Sequence, residues 1–192
     1  MRIGILAVQG AVEPHRVKFE NLGVESVQVK TPKDLVNLAG LVLPGGESSS
    51  MIHLLKLNGL WESVSEFVHQ KPSWGLCAGT ILLAKEVISP AQESLGVIDI
   101  TVVRNAYGRQ TESFISNLNP SPNWVDQESL EGIFIRAPKI SRLGPSVKTL
   151  FTHHGDSVMV REGITLASTF HPELSESNKL HQYFLSLCQE SR

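Results

Sequence analysis

An α/β three-layer sandwich of flavodoxin-like type with a mixed sheet is the fold this sequence predicts. Through the first half, short continuous apolar runs alternate with amphipathic segments, the pattern of parallel βαβ units. The second half changes to short strands joined by turns such as His154-Gly155-Asp156 and Glu162-Gly163, which adds antiparallel hairpins to the same sheet. A length of 192 residues suits one domain, taken as residues 1–192. In such sheets, sites form at the carboxyl ends of strands.

The elements follow in order. Residues 2–8 form a short apolar run, typical of a strand buried on both faces. Val12-Glu13-Pro14 opens a helix, since proline is tolerated in a first turn, and Gly23 suits its C-terminal cap. Residues 24–29 alternate as a strand, and Thr31-Pro32 opens a short helical turn. Residues 40–43 read as a second buried strand, ended by Pro44-Gly45-Gly46. Ser48, Ser49 or Ser50 is expected to cap a helix that carries Met51, Ile52, Leu54, Leu55 and Leu57 and stops at Asn58-Gly59. Residues 61–69 are helical, 73–76 a strand and 78–86 a helix. Strands are then expected at 97–103, 132–136, 147–152, 157–160 and 165–170, with a terminal helix over 175–190.

Composition narrows the function classes. Apolar residues make up 41% of the chain, enough for a packed core, which argues against disorder. The net charge is −2 with scattered basic residues, so neither a nucleic-acid footprint nor a basic membrane face is indicated. No apolar run is long enough to span a bilayer, and residues 1–8 read as a strand rather than a signal peptide. Cys77 and Cys188 stand in different contexts and make no disulfide framework, so a reducing cytoplasm is expected.

The chemistry points to Cys77. It sits at Gly75-Leu76-Cys77-Ala78-Gly79, where a strand ends and a helix begins. Such a turn holds a side chain out of the sheet on a strained backbone, and flanking glycines relieve the crowding. A helix N-terminus favours thiolate, and the Ala78 amide points where an oxyanion would develop. The competing reading is a small core thiol. Cys188, on one helical face with Phe184 and Leu185, is read that way.

A thiolate in acyl transfer needs a proton carrier. Of seven histidines, His171 stands out because Pro172 biases it to an extended backbone, where residues two apart face one way. Glu173 can then fix its tautomer and support its charge; a surface His-Pro-Glu turn is the alternative. His153-His154 beside Asp156 make a poor metal pair, since strand neighbours point to opposite faces, and are read as turn residues. His15, His53, His69 and His181 lie on expected helices and read as surface or boundary residues. Gly45-Gly46-Glu47-Ser48 follows a strand, and the Gly46 amide can complete an oxyanion hole. A phosphate cradle and a plain turn compete, but no phosphate-loop signature is present.

Cysteine elbow, glycine loop and His-x-Glu together resemble class I glutamine amidotransferase domains. Six segments sharpen this: Leu6-Ala7-Val8-Gln9-Gly10, Pro44-Gly45-Gly46-Glu47-Ser48, Gly75-Leu76-Cys77-Ala78-Gly79, Arg104-Asn105-Ala106-Tyr107-Gly108-Arg109-Gln110, Phe134-Ile135-Arg136-Ala137-Pro138 and Phe170-His171-Pro172-Glu173-Leu174. They resemble the glutaminase subunits of pyridoxal 5'-phosphate synthase, the PdxT/SNO family, over nearly the whole chain. The resemblance implies a class I amidotransferase fold and a Cys77, His171, Glu173 triad that hydrolyses L-glutamine through a glutamyl thioester. It implies an oxyanion hole from the amides of Gly46 and Ala78, assisted by Gln9. Gly46, Glu47, Ser48, Arg104, Ile135 and Arg136 match the family's glutamine-binding positions. A guanidinium suits a free α-carboxylate, although surface salt-bridging is the ordinary reading of Arg104 and Arg136. No cofactor and no metal are implied.

The implied partner is a separate (β/α)8 synthase subunit of PdxS/SNZ type, in a hetero-oligomer of twelve plus twelve chains. It takes the ammonia to build pyridoxal phosphate, and the undocked glutaminase is expected to be poorly active. The sequence departs from the family's pattern at Leu76, where threonine is common, and at Ser49 and Ser50, which replace threonines. Two other readings compete: a noncatalytic scaffold, which would need a broken triad, and another Cys-His hydrolase, of γ-glutamyl hydrolase or DJ-1/PfpI-like type, which would turn over without a partner.

Overall fold

The computed structural model describes residues 1–104 and 113–191. The first half runs β1 (Arg2–Leu6), α1 (Val12–Asn21), β2 (Glu25–Val29), a 3-10 turn (Pro32–Leu35), β3 (Gly40–Leu43), α2 (Ser48–Leu57), α3 (Trp61–Gln70), β4 (Ser73–Leu76) and α4 (Ala78–Leu83). There follow β5 (Ala84–Ile88), β6 (Ile98–Val103), β7 (Phe114–Pro120), β8 (Leu130–Phe134), β9 (Lys139–Leu143), β10 (Lys148–His153), β11 (Asp156–Glu162), β12 (Thr165–Ser168), a 3-10 turn (Pro172–Leu174) and α5 (Lys179–Glu190).

Nine strands form one mixed sheet in the order β2-β1-β3-β4-β12-β11-β10-β7-β8. The five from β2 to β12 are parallel, and the rest are antiparallel. Alternation along the buried strands sorts side chains to two faces. Ile3 and Ile5 of β1, Val42 of β3 and Trp74 and Leu76 of β4 join one core with Phe19 of α1 and Phe184 of α5. Leu6, Leu41 and Leu43 join the other, with Met51 and Leu55 of α2, Val64 of α3 and Leu82 of α4. This is the three-layer sandwich predicted.

Four expectations change. The helix expected over 78–86 stops at Leu83, and β5 starts at once. Lys85 and Glu86 favour helix weakly, but pairing with β6 buries Ala84 and Val87, and burial outweighs propensity. Nor does the 97–103 segment join the large sheet: β6 lies in a second, three-stranded sheet ordered β5-β6-β9. Its Ile98, Ile100 and Val102 pack in the same core as α2 and α4, so the small sheet extends one outer layer. Strands β7 and β9 were not expected, because exposed polar residues break their alternation: β7 buries only Leu118 and β9 only Ile140. Finally, Glu47 and not a serine caps α2, its carboxylate accepting from the amides of Ser49 (3.1 Å) and Ser50 (2.7 Å).

The topology places the site. The parallel order puts the carboxyl ends of β1, β3, β4 and β12 side by side, where Gln9, Gly45-Gly46, Cys77 and His171 follow.

Candidate active site

Cys77 occupies the turn between β4 and α4 with φ 49° and ψ −101°, a backbone that non-glycine residues avoid. Such a conformation costs about 1–3 kcal/mol and persists where its surroundings over-determine it. Three contacts do so here. The Cys77 amide donates to Ser168 O at 2.8 Å, tying the elbow to β12. The Thr80 hydroxyl lies 2.7 Å from Ser168 O and 3.0 Å from Gly75 O. Trp74 Nε1 donates to Ser168 Oγ at 3.1 Å. The glycines have the role expected: a Cβ on Gly75 would lie 2.6 Å from the Gly79 carbonyl carbon, and one on Gly79 would run into the Leu43 carbonyl.

His171 follows β12, whose neighbour in the sheet is β4, and its amide donates to Ile133 O at 2.8 Å. Its Nδ1–H donates to Glu173 Oε1 at 2.7 Å, since an ionised carboxylate only accepts. The expected extended backbone is not what joins them. Pro172–Leu174 is a 3-10 turn, and its curl, rather than strand alternation, brings Glu173 under the imidazole. Burial pushes the His171 pKa down, but hydrogen bonds to Cys77 and Glu173 outweigh it and hold the imidazole at about 10. Burial likewise raises Glu173, yet the His171 hydrogen bond and the His171 charge bring it below the usual carboxylate range. At neutral pH the arrangement is therefore an imidazolium between a thiol group and a buried carboxylate.

A cavity of about 420 Å³ opens above Cys77, within the range of small-ligand sites. Its walls include Gln9, Gly45, Gly46, Glu47, Ser48, Cys77, Arg104, Ile135, Arg136 and His171. Every residue singled out in the sequence for this chemistry lines it except Glu173, which lies beneath His171, and Ala78, the first residue of α4. Gly45 has no room for a side chain, because a Cβ would meet His171 Cε1. Gln9 Oε1 accepts from the Glu47 amide at 3.0 Å, so Gln9 acts on the glycine loop by anchoring its far end. At the rim, Arg104 Nη2 lies 2.8 Å from Ser49 Oγ and 3.4 Å from Glu47 Oε1. Bonds to the Ser50 and Ser49 groups outweigh burial and hold Glu47 down at about 2. Ser48, which is buried, donates to Gln92 Oε1 at 2.9 Å.

Arg136 reaches the cavity by a route other than alternation with Phe134. β8 ends at Phe134, and Arg136 sits beyond it at φ 44°, exposed on the cavity wall. Ile135 O lies 3.9 Å from Cys77 Sγ. Residues 105–110 of the Arg104–Gln110 segment lie outside the described residues. His154 forms a turn, as expected, but His153 is the last residue of β10 rather than a turn residue, set against the rings of Phe114 and Phe134. Among the described residues no group of three His, Cys, Asp or Glu is placed to hold a metal ion. Cys188 is core, packed with Phe184 and Leu185 as expected.

His15 and His181 overturn their reading as surface or boundary residues: both are fully buried. Their helical spacing carried the signal. His15 shares its face with Phe19, and His181 shares its face with Phe184, Leu185 and Cys188.

Residues 5–190 match the model of the SNO glutamine amidotransferase family. The chain belongs to that family. Among curated relatives, it is 48% identical over 188 residues to "Pyridoxal 5'-phosphate synthase subunit PdxT" of Thermotoga neapolitana, covering 97% of this chain and 99% of the relative. The protein of the same name from Solibacter usitatus is 44% identical, covering 96% and 98%. A solved structure described as a glutamine amidotransferase superposes with TM-score 0.89 at 41% identity, covering 97% of this chain and 98% of the other. A putative GMP synthase subunit from Thermoplasma acidophilum, at 17% identity and TM-score 0.72, shares the fold. The fold expected from the resemblance is the fold found.

Proposed function

We propose that this amidotransferase hydrolyses L-glutamine to L-glutamate and ammonia, with Cys77, His171 and Glu173 as its triad. The observation that carries the reading is the buried line from Glu173 through His171 to the strained Cys77 turn at the cavity floor. The thiolate attacks the side-chain carboxamide carbon, and the carbonyl electrons move onto oxygen. Gly46 and Ala78 supply amides for that oxyanion, and Gln9 holds the loop by taking the Glu47 amide. Protonated His171 then gives its proton to the departing nitrogen, ammonia leaves, and a glutamyl thioester remains.

The second half-reaction needs His171 as a base, and the site supplies the switch. In the thioester, the Cys77 sulfur is acylated and no longer supports the imidazolium, so one of its two supports is gone. The imidazole pKa falls, and neutral His171 can take a proton from water, which attacks the thioester and releases glutamate and the thiolate. Glu173 holds the tautomer throughout. Opposite charges on Glu47 and on Arg104 and Arg136 suit the zwitterionic end of glutamine, with Gly46, Ser48 and Ile135 shaping the wall.

The relatives' name as subunits of pyridoxal 5'-phosphate synthase supports a reading in which the ammonia passes to a separate synthase chain of PdxS/SNZ type. Twelve plus twelve chains form the proposed assembly, in the cytoplasm, where the Cys77 thiol stays reduced. The test is glutamate release with and without a titrated synthase subunit. Turnover should rise with the partner and vanish in Cys77→Ala. Full turnover by Cys77→Ala in the complex would end the triad reading. Partner-independent turnover of other γ-glutamyl compounds would favour a different hydrolase.

A further inference from the structure

Glu173 has two oxygens, and the triad uses one. Its side chain is fully buried, so the second oxygen, Oε2, has no water to turn to. The ring of His15, from α1, faces it, with Nε2 3.7 Å away. His15 Nδ1 in turn lies 3.1 Å from His181 Nε2, from α5. Both rings have zero exposure, and both pack against the edge of Trp74. Helix α1 also sends Lys18 behind the site, where Nζ donates to Ser175 O (2.5 Å), Glu176 O (3.1 Å) and Ser177 O (3.2 Å). That loop joins the Glu173 turn to α5, so one helix face grips the catalytic turn at two places.

Counting protons decides how the pair is wired. Burial pushes both histidines down to about 3, so each is neutral with one N–H. If His15 donated from Nδ1 to His181, its bare Nε2 lone pair would face an anionic oxygen, and an N–H of His181 would be buried without an acceptor. If His181 Nε2–H donates to His15 Nδ1, His15 Nε2–H points at Glu173 Oε2. At 3.7 Å that N–H meets the carboxylate as a dipole facing a charge rather than as a hydrogen bond, so His15 Nε2, Glu173 Oε2 and His181 Nδ1 all lack a hydrogen-bond partner among the described residues. The second wiring turns an N–H, rather than a lone pair, toward the anionic oxygen, and leaves His181 with a bare nitrogen rather than a buried N–H without an acceptor.

We propose that His15, held in its Nε2–H tautomer by His181, is a positioning residue for Glu173. The directed chain runs His181 to His15 to Glu173, with His171 donating to the other carboxylate oxygen. It sets the carboxylate plane, so that Oε1 meets His171 rather than rotating away. The groups that face Glu173 are His171 from its own turn and His15 and Lys18 from α1, while His181 from α5 faces His15. The proposal rests on the triad reading above.

The test combines a wild-type measurement with two variants, assayed with the synthase subunit. His15→Leu removes the donor. His15→Gln keeps an amide N–H at the position of Nε2. His15→Leu should lower kcat by about tenfold to a hundredfold, the usual cost of losing an outer partner of a functional histidine. KM should stay within about twofold, because His15 does not line the cavity. The acid limb of the pH profile, for turnover and for iodoacetamide alkylation of Cys77, should move to higher pH. The sign follows from electrostatics: an N–H dipole aimed at a carboxylate favours its charged form, and its loss raises the pKa. His15→Gln should restore both. Nitrogen-15 NMR of the unmodified chain should find His15 protonated at Nε2, whether or not the variants fold. A proton on His15 Nδ1, or an unshifted acid limb in folded His15→Leu, overturns the proposal. If instead Cys77→Ala stays active, the triad reading itself fails, so the two failures are told apart.

Discussion

At the scale of single residues, the chemistry turns on one imidazole whose partners outweigh its burial. His171 is held at about 10 by Cys77 and Glu173. Removing one support has a definite sign. In Cys77→Ala the imidazole keeps Glu173 but loses the thiol group, so His171 should titrate well below its value in the unmodified chain. Proton NMR of the ring measures this without any substrate, and an unchanged titration would mean that Cys77 does not face His171. Cys77 itself shows how local strain is held: its φ of 49° is imposed by bonds from its own amide, Thr80 and Trp74 to a single β12 residue, Ser168.

At the scale of elements, α2 does two jobs with one residue. Glu47 caps the helix through the amides of Ser49 and Ser50 and also faces Arg104 at the cavity rim. Glu47→Ala should cost about 0.5–2 kcal/mol in a denaturant titration, the usual loss of an N-cap. It should also release Arg104 and weaken glutamine binding, seen as a raised KM in the coupled assay. Glu47→Asp, with a shorter arm at the same cap, should recover more of the stability than of the binding. The serines that sequence reasoning favoured as caps lie one to three positions further in, with their hydroxyls on Gln92 (Ser48 and Ser49) and Arg104 (Ser49).

At the scale of the whole molecule, two cores lie on opposite faces of one sheet, and α5 closes one of them. Phe184 is fully buried there against Trp74. Phe184→Ala should cost about 3–5 kcal/mol through lost burial and a cavity. The urea midpoint should fall with an unchanged slope if the native sheet survives. Stability should also depend on pH on both sides of about 6.5, the ordinary histidine value. His171 is raised to about 10, so its contribution is full below 6.5 and is lost as pH rises towards 10. His15 and His181 are held down at about 3, so the unfolded chain binds more protons than the folded one between 3 and 6.5, and stability falls there as pH falls. Glu173 adds to the acid side, since its contribution is present above 4.5 and is lost as pH drops through its lowered value. Urea midpoints measured across this range should peak near 6.5; a midpoint still rising above that value would contradict the assignment of His171.

By itself the sequence determined the local pieces: the buried parallel strands, the glycine-flanked turn at Cys77, the glycine loop and the pairing of His171 with Glu173. Each is written in a few neighbouring residues, as periodicity, a steric requirement at glycine or a short contact between near neighbours. Only the tertiary structure decided what depends on distant partners. The end of α4 at Leu83 and the small sheet of β5, β6 and β9 follow from burial against a core that no local window contains. The same holds for His15 and His181, which sit 166 positions apart and meet behind Glu173. Amphipathic spacing hinted that each faced inward. That the two rings meet, with His15 turned toward Glu173, is a property of how α1 and α5 pack on the same side of the sheet.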